Sequence, residues 1–183
     1  MAMGPNAVGD LAGLDIGASV RREWRGKPDD PRFYRVSDLL AERGRYGQKT
    51  GAGFYRYEGD DKKRTNDPEV AALIKAEAAR LGVAQRSIAD AEIVERSVYA
   101  LVNEGARILD EGIARSAADI DVIWCNGYGF PRIRGGPMFY ADTVGLPHVL
   151  EGVAKYEREQ GARYWSPAPR LVELARAGRR FTE

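Results

Sequence analysis

The chain has 183 residues, of which 44% are hydrophobic and 30% are charged, and its formal net charge is +1 at pH 7. This composition is that of a folded globular protein and excludes wholesale disorder, and the near-neutral charge excludes attraction to nucleic acid or an acidic membrane by charge alone. Cys125 is the only cysteine, which excludes an internal disulfide, and no apolar run approaches the roughly 20 residues of a membrane helix.

Residues 1–58 predict three short helices and then an extended segment. Pro5 suits the first turn of a helix, and Gly13 allows a break before a second one. Ser37 is predicted to cap a third helix that stops at Gly44. The alternation of residues 54–57, FYRY, is typical of an extended backbone. The second helix would carry Ile16, Val20 and Trp24 on one face.

Residues 59–86 predict a connector with a single helix. Its first part is a charged run that we interpret as a solvated surface loop. The helix is predicted to start at Asp67, with Pro68 in its first turn, and to end at Gly82.

Residues 87–183 predict a long helix followed by several shorter ones. Ser87 and Asp90 resemble a capping pair for the long helix, Ser116 can cap the next helix, and Pro137 begins another. In the long helix Ala91, Val94, Val98, Leu101, Val102, Gly105, Ile108 and Leu109 form an apolar face, and Glu92, Arg96, Asn103, Arg107 and Asp110 take the opposite face. Strand patterns are nearly absent, so the predicted fold is all-α.

One sequence pattern occurs twice. Five identities recur at a fixed separation of 132 residues (136 − 4), which suggests one structural unit used twice; the alternative is two unrelated helices with similar caps. The first set is Gly4, Pro5, Asp10, Gly13 and Leu14, and the second is Gly136, Pro137, Asp142, Gly145 and Leu146.

The first copy of this pattern has almost nothing before it. A long helix precedes Gly136 and Pro137, whereas only three residues precede Gly4. A helix starting there without its long partner would expose an apolar face. We therefore expect either that other residues of this chain cover that face or that the natural polypeptide extends further upstream.

Three stretches resemble a known family. They are MGPNAVGDLAGLD, RYGQKTGAGFYRY, and EIVERSVYALVNEGARILDEGIA running on through DIDVIWCNGYGFPRIRGGPMFYAD. They look like the C-terminal helical domains of 3-hydroxyacyl-CoA dehydrogenase, in the form found in multifunctional fatty-acid β-oxidation enzymes. The resemblance implies two copies of one helical domain about a pseudo-twofold axis: residues 1–58 as the end of a truncated first copy, 59–86 as connector and 87–183 as the second copy.

The resemblance also implies where the chemistry lies. Family members oxidise a 3-hydroxyacyl-CoA to the 3-ketoacyl-CoA with NAD, using a histidine and a glutamate of a Rossmann domain. The substrate-placing asparagine would lie before Met1, and the second copy has Glu95-Arg96 where the catalytic copy has Asn-Arg. No Gly-x-Gly-x-x-Gly fingerprint follows a strand here. NAD is therefore expected on an upstream Rossmann domain and not on this chain.

The predicted substrate-binding residues are Met3, Gly4 and Pro5, which in the family correspond to a turn near the acyl-chain cleft; the alternative is plain helix capping. No residue is predicted to be catalytic. Glu95 is expected to be a buried carboxylate with an arginine partner. A further set could touch CoA phosphates or could be a solvated basic loop: Arg45, Lys49 and Arg56.

The remaining candidates are weak. His148, the only histidine, is interpreted as a surface or cap residue, and Cys125 as a small core residue. One His and one Cys cannot supply a zinc site.

The expected partners are upstream Rossmann and hydratase/isomerase domains and an acyl-CoA substrate, and a homodimer is possible. The final FTE is not a peroxisomal signal, so the expected location is cytoplasmic. The alternative function is a self-standing helical dimerisation or interaction module without catalysis.

Overall fold

The computed structural model describes residues 3–27 and 30–183, which divide into two compact units. One unit ends at Arg86, and the other is Ser87–Glu183. The described residues form ten α-helices and one two-stranded sheet, so the all-α prediction is confirmed. The connector predicted over 59–86 belongs to the same unit as the residues before it. Within the described ranges, no helix combines the length and the apolar character needed to cross a membrane.

The first unit contains four α-helices and a hairpin. Its elements are α1 (Pro5–Ala12), α2 (Leu14–Glu23), α3 (Arg35–Glu42), β1 (Tyr55–Glu58), β2 (Lys63–Asn66) and α4 (Pro68–Arg80), with 3-10 turns at Pro31–Phe33 and Gln48–Thr50. Gly13 has φ +104°, a conformation that favours glycine, and it separates α1 from α2 as predicted. The small core of this unit contains Leu14, Leu40 and Val70.

The predicted cap of α3 is wrong. The helix begins at Arg35, so Ser37 lies inside it, and Tyr34 precedes it without a side-chain cap. The 3-10 turn Pro31–Phe33 leads almost directly into the helix, and the Asp38 amide already donates to the Tyr34 carbonyl at 2.9 Å. Because the backbone is already turning before Ser37, no new helix start is needed there.

The charged run after residue 58 begins as a turn over residues 59–62 and continues as the strand β2. β1 and β2 pair antiparallel, with Tyr55 opposite Asn66 and Glu58 opposite Lys63. The extended FYRY segment is therefore confirmed, and the loop interpretation is wrong for Lys63–Asn66. The guanidinium of Arg64 lies 5.0 Å from the Tyr55 ring centroid. Most of β2 is exposed, which is why its charges resemble those of a solvated loop.

The second unit is built around the long helix. Its helices are α5 (Asp90–Asp110), α6 (Ala117–Gly127), α7 (Pro137–Val144), α8 (Leu146–Gln160), α9 (Ala162–Trp165) and α10 (Pro169–Ala177). The Ser116 Oγ accepts from the Asp119 amide at 3.2 Å, as predicted. The Ser87–Asp90 capping pair is wrong, because α5 starts at Asp90 after Ala89 with no side-chain cap.

The burial of side chains in α5 differs from the apolar and polar faces predicted for this helix. Asn103, expected on the polar face, is fully buried. Its Nδ2 donates to the Ser166 carbonyl at 2.9 Å, and its Oδ1 accepts from the Ala168 amide at 2.8 Å. At the other end Ala91 and Val94, expected in the apolar face, are exposed. The helix is therefore buried mainly through its second half.

Candidate functional site

The turn that starts α1 is open to solvent. Gly4 precedes the helix with φ −71° and ψ 162°, and Pro5 occupies the first helical position. Both are exposed, Met3 is half-buried, and a Cβ added at Gly4 would meet nothing within 4 Å. The three predicted substrate-binding residues therefore lie together in an accessible turn whose proline matches ordinary helix capping.

Large apolar side chains are exposed along α1 and α2 and at the residue that follows α2. Large apolar side chains on the surface at helical spacing indicate a contact site for another molecule or segment. We call this surface the open face, and it consists of Val8 (41% exposed), Leu11 (55%), Ile16 (55%), Val20 (60%) and Trp24 (43%).

In the second unit the turn that matches Gly4 and Pro5 is buried, and so is Gly152, which matches Val20. Thr143 and His148, which match Leu11 and Ile16, are exposed. Gly136, Pro137 and Met138 are buried, and α5 packs on both α7 and α8. A Cβ on Gly152 would lie 2.5 Å from the Tyr99 ring, and one on Gly105 would lie 2.5 Å from the Met138 Sδ. The backbones and side chains are therefore in direct contact there, and α5 provides the cover.

The two aspartates of the repeat perform the same task. Asp10 is fully buried and accepts from the Phe54 amide at 2.8 Å and the Tyr55 amide at 3.0 Å. Asp142 accepts from the Phe181 amide at 2.8 Å and the Thr182 amide at 3.1 Å. Each carboxylate holds two consecutive amides of the segment that follows its helices. The repeat contained this signal, because both aspartates are among the five identities, but their role was not predicted.

The glycines around Asp10 explain the KTGAGFY motif. A Cβ on Gly47 or on Gly53 would lie 2.1 Å from atoms of Asp10, so only glycine permits this close approach. The Tyr57 hydroxyl donates to the same carboxylate at 3.0 Å. Burial and this hydrogen bond to Asp10 raise the pKa of Tyr57 to about 12. The motif therefore builds a binding pocket for a carboxylate of the same chain.

The break between the paired helices is also the same. Gly13 has φ 104° and ψ 119°, and Gly145 has φ 98° and ψ 121°. Each follows a helix of eight residues that starts with proline. The backbone at this break is thus the same in both occurrences of the pattern, whereas the glycine before the proline has φ −71° at Gly4 and φ 104° at Gly136.

Glu95 has a different partner from the one predicted. The half-buried carboxylate accepts from the Tyr156 hydroxyl at 2.6 Å, so the expectation of an arginine partner is wrong. Arg96 instead pairs with Glu92 at 3.6 Å, and its guanidinium lies 5.3 Å from the Tyr156 ring centroid. Burial and the hydrogen bond to Glu95 raise the pKa of Tyr156. Glu95 therefore joins α5 to α8.

The three basic residues considered for CoA phosphates are paired within the chain. Arg45 and Arg56 contact the Asp67 carboxylate at 2.6 and 2.9 Å, and the Lys49 ammonium lies 2.6 Å from Asp15. Burial would raise the pKa of Asp67, but hydrogen bonds from Arg56, Arg45 and the Glu69 amide outweigh it and lower the pKa to about 2. These contacts give all three cations a structural role.

The other chemically reactive side chains do not form a catalytic set. His148 is exposed, with its ring centroid 6.4 Å from that of Tyr99. Cys125 is half-buried in a groove lined also by Phe139 and Arg132, so its assignment to the core is wrong. Among the residues that the structure describes, no three His, Cys, Asp or Glu side chains are grouped to hold a metal ion.

Comparison with known proteins identifies similar sequences. The family model for the 3-hydroxyacyl-CoA dehydrogenase C-terminal domain matches residues 1–57 and 93–182. The peroxisomal bifunctional enzyme of Danio rerio is 43% identical over 97% of this chain and 27% of its own length. The fatty acid oxidation complex subunit alpha of Vibrio cholerae is 38% identical over 98% of this chain and 24% of its own length. This chain spans about a quarter of these relatives.

Solved structures show the same fold. The dehydrogenase part of a multifunctional enzyme from C. elegans superposes with a TM-score of 0.70 at 28% identity, covering 93% of this chain and 38% of that one. A 3-hydroxybutyryl-CoA dehydrogenase from Escherichia coli gives a TM-score of 0.62 at 20% identity, covering 97% of this chain and 52% of that one. At that lower identity the likeness concerns the fold alone.

Proposed function

The chain belongs to the 3-hydroxyacyl-CoA dehydrogenase C-terminal domain family, and on that premise we propose that it forms the helical part of the acyl-CoA cleft in a multifunctional β-oxidation enzyme. The proposed reaction oxidises the 3-hydroxyl of an acyl-CoA to a ketone, with a hydride passing to NAD and a proton to a base. The observation that carries the proposal is the exposed Gly4–Pro5 turn beside the open face, where the matching Gly136–Pro137 turn is buried.

The described residues do not fit NAD. A dinucleotide site needs a glycine-rich turn from a strand into a helix, whose N-terminus receives the pyrophosphate. The passage from β2 into α4 ends instead in Asp67, whose carboxylate accepts from the Glu69 amide at 2.9 Å. Its negative charge at this helix start would repel a phosphate. We therefore assign NAD, and the histidine and glutamate of the reaction, to a Rossmann domain outside this chain.

Met3, Gly4 and Pro5 are proposed to line the acyl-chain channel. They are apolar or lack a side chain, they are accessible, and α1, which starts at Pro5, also carries Val8 and Leu11 of the open face. A saturated acyl chain gains roughly 0.8 kcal/mol for each methylene that it buries against such a surface. Arg45, Lys49 and Arg56 are left out, because their charges are already neutralised by carboxylates of this chain.

The first test uses a hybrid enzyme. The C-terminal quarter of the Danio rerio peroxisomal bifunctional enzyme is replaced by this chain, and acetoacetyl-CoA reduction is followed by NADH absorbance. We expect turnover by the hybrid and none by the chain alone or by the relative lacking that quarter. Turnover by the chain alone, or a folded hybrid with no activity, would contradict the proposal.

The second test concerns the channel. In the hybrid, Met3→Trp should narrow the channel, so we expect KM for a long-chain 3-hydroxyacyl-CoA to rise several-fold while kcat/KM for a four-carbon substrate changes little. Ala18→Trp, at a position lining a separate groove between α2 and α3, is the matched control and should affect both substrates alike. If Met3→Trp affected the long-chain and the four-carbon substrate alike, as Ala18→Trp is expected to do, the proposed role of Met3 in the channel would be wrong.

The upstream Rossmann and hydratase/isomerase domains are the proposed partners, and the length of the relatives supports them; a homodimer and a cytoplasmic location stay predictions. The alternative, a helical interaction module without catalysis, is favoured by the same open face. An inactive hybrid together with a concentration-dependent dimer of the chain alone in sedimentation would support that alternative.

A further inference from the structure

A groove of about 440 Å³ lies between α2 and α3, within the first unit. Its walls are two helical faces, because the lining residues of each helix are three or four positions apart. Among them are Asp15, Ala18 and Arg22 on α2, and Asp38 and Glu42 on α3. A groove of this volume is large enough for a small-molecule ligand.

Each of the three carboxylates that line this groove is already paired with a cation. The pairs and their shortest distances are Arg21–Asp38 (2.6 Å), Lys49–Asp15 (2.6 Å) and Arg35–Glu42 (3.2 Å). The hydrogen bond from Lys49 lowers the pKa of Asp15, so this carboxylate stays charged and paired near neutral pH. The negative charges of the groove are therefore offset within the chain.

Two further cations of the groove have no such partner. Arg22 and Lys27 both line it, and no ion pair joins either of them to a carboxylate among residues 3–27 and 30–183. Arg22 lies in the last turn of α2, where the free carbonyls of a helix end carry only about half an elementary negative charge. The groove therefore keeps a positive surplus of roughly one and a half charges.

We propose that this groove binds a phosphate monoester, with Arg22 and Lys27 as its ligands. Such a group carries about −1.5 to −2 charges near pH 7, which matches the surplus. The guanidinium of Arg22 can donate two parallel hydrogen bonds to its oxygens, and the ammonium of Lys27 adds a point charge. Two sources carry this group: the 3′-phosphate end of CoA, which the proposed substrate contains, and a free nucleotide. The site goes beyond the proposed function, because binding at it needs no reaction.

Isothermal titration calorimetry on the full chain tests the site with two pairs of probes. The pairs are CoA against dephospho-CoA and AMP against adenosine, and only the first compound of each pair carries a phosphate monoester. We expect CoA to bind at least about tenfold more tightly than dephospho-CoA, and AMP at least about tenfold more tightly than adenosine. CoA bound more tightly than AMP assigns the site to a CoA ester, whereas AMP bound as tightly as CoA, or more tightly, assigns it to a free nucleotide.

Arg22→Gln and Arg25→Gln are the matched variants. Each removes one exposed cation, but only Arg22 lines the groove. We expect Arg22→Gln to weaken the binding of CoA and AMP about tenfold, and Arg25→Gln to weaken it less than about twofold, because salt screens exposed charges outside the site. Ala18→Trp fills the groove and should abolish binding; should that variant fail to fold, the two arginine variants still decide.

Labelling the chain with 3-fluorotyrosine locates the bound probe. Tyr46 lines the groove, and its ¹⁹F signal, assigned with Tyr46→Phe, should shift when AMP is added. No binding of CoA or AMP at millimolar concentration, equal losses from Arg22→Gln and Arg25→Gln, or an unmoved Tyr46 signal would each overturn the proposal. The measurement contains neither NAD nor a Rossmann domain, so its failure is distinguishable from an inactive hybrid enzyme.

Discussion

The helix pair α1–α2 and the helix pair α7–α8 share a Gly-Pro sequence, a glycine break and an anchoring aspartate, yet the Gly-Pro turn is exposed in the first pair and buried in the second. Gly13 and Gly145 adopt nearly the same angles, and Asp10 and Asp142 each hold two successive amides. Val20 is nevertheless 60% exposed, whereas Gly152, the residue 132 positions later, is buried. Local signals thus specify the shape of a helix pair, and a third helix decides whether its surface becomes core.

The largest expected effect is a loss of stability that differs between the Asp10 and Asp142 variants. Asp10→Ala leaves two half-buried amides and the buried Tyr57 hydroxyl without their acceptor, so we expect the free energy of unfolding of its unit to fall by about 3 kcal/mol. Asp142→Ala should cost about 1 kcal/mol in the other unit, because its Thr182 partner is exposed and water can replace the bond. Hydrogen exchange read by mass spectrometry assigns each loss to a unit; equal losses would show that the anchors are energetically alike.

The next largest effect concerns the packing of α5 on α8. Gly152→Val places side-chain atoms where the Tyr99 ring lies, and we expect a loss of about 2 kcal/mol in urea unfolding. Val20→Gly, the reverse change on the open face, should cost less than about 1 kcal/mol, through helix propensity alone. The double variant Gly152→Val with Tyr99→Ala should lose less unfolding free energy than the two single variants lose in total, because the valine then no longer meets the ring. If the two losses simply add, the contact between residues 99 and 152 is contradicted.

A pH dependence distinguishes two buried carboxylates. Because the pKa of Asp67 falls from 3.8 to about 2 on folding, its stabilising contribution is complete above pH 3.8 and is lost as the pH drops towards 2. Asp67→Asn should remove roughly 2 kcal/mol of that dependence.

Asp121 is the contrasting case. Burial raises its pKa, against the hydrogen bonds from the Met138 and Phe139 amides, so its contribution is present below pH 3.8 and is lost as the pH rises. The contribution of each aspartate is read as the difference in acid unfolding between the original chain and its Asp→Asn variant. These two differences should change with pH in opposite directions, and changes of the same sign would contradict the assignment.

The smallest effects concern single contacts. Tyr156→Phe removes the hydrogen bond to Glu95 and should lower the unfolding free energy by about 1 kcal/mol. Ile16→Ala on the open face should change it by less than about 0.5 kcal/mol, because the side chain is 55% exposed. A large loss from Ile16→Ala, measured by thermal unfolding, would mean that the open face is already covered in solution.

Sequence reasoning succeeded where a few neighbouring residues decide the structure. Gly13, Pro68 and Ser116 mark helix ends through local angles or a cap, and all three were predicted. Ser37 and Ser87 failed because a cap also depends on the course of the preceding chain. The strand β2 was missed because a short exposed strand carries no apolar alternation.

The candidate site shows the same division. Met3, Gly4 and Pro5 were chosen because the corresponding turn in the family lies near the acyl-chain cleft, and their role in binding stays a prediction. The burial of Asn103 and the hydrogen bonds that Asp10 accepts were not predicted. The reason is that Asn103 has a partner 65 positions away and Asp10 has one 45 positions away. A polar residue with a distant partner looks in the sequence like any surface residue.

The amide of Asn103 also sets an order of events during synthesis. It bonds to residues 63 and 65 positions further along, so a ribosome that has delivered all of α5 has not yet made the groups that satisfy this side chain. In the unit ending at Arg86, the buried Asp10 carboxylate finds its partners at residues 54, 55 and 57, all of which are made before α5. The first unit can therefore mature while translation continues, whereas the second must wait, exposed to chaperones and proteases, until Ala168 has left the exit tunnel.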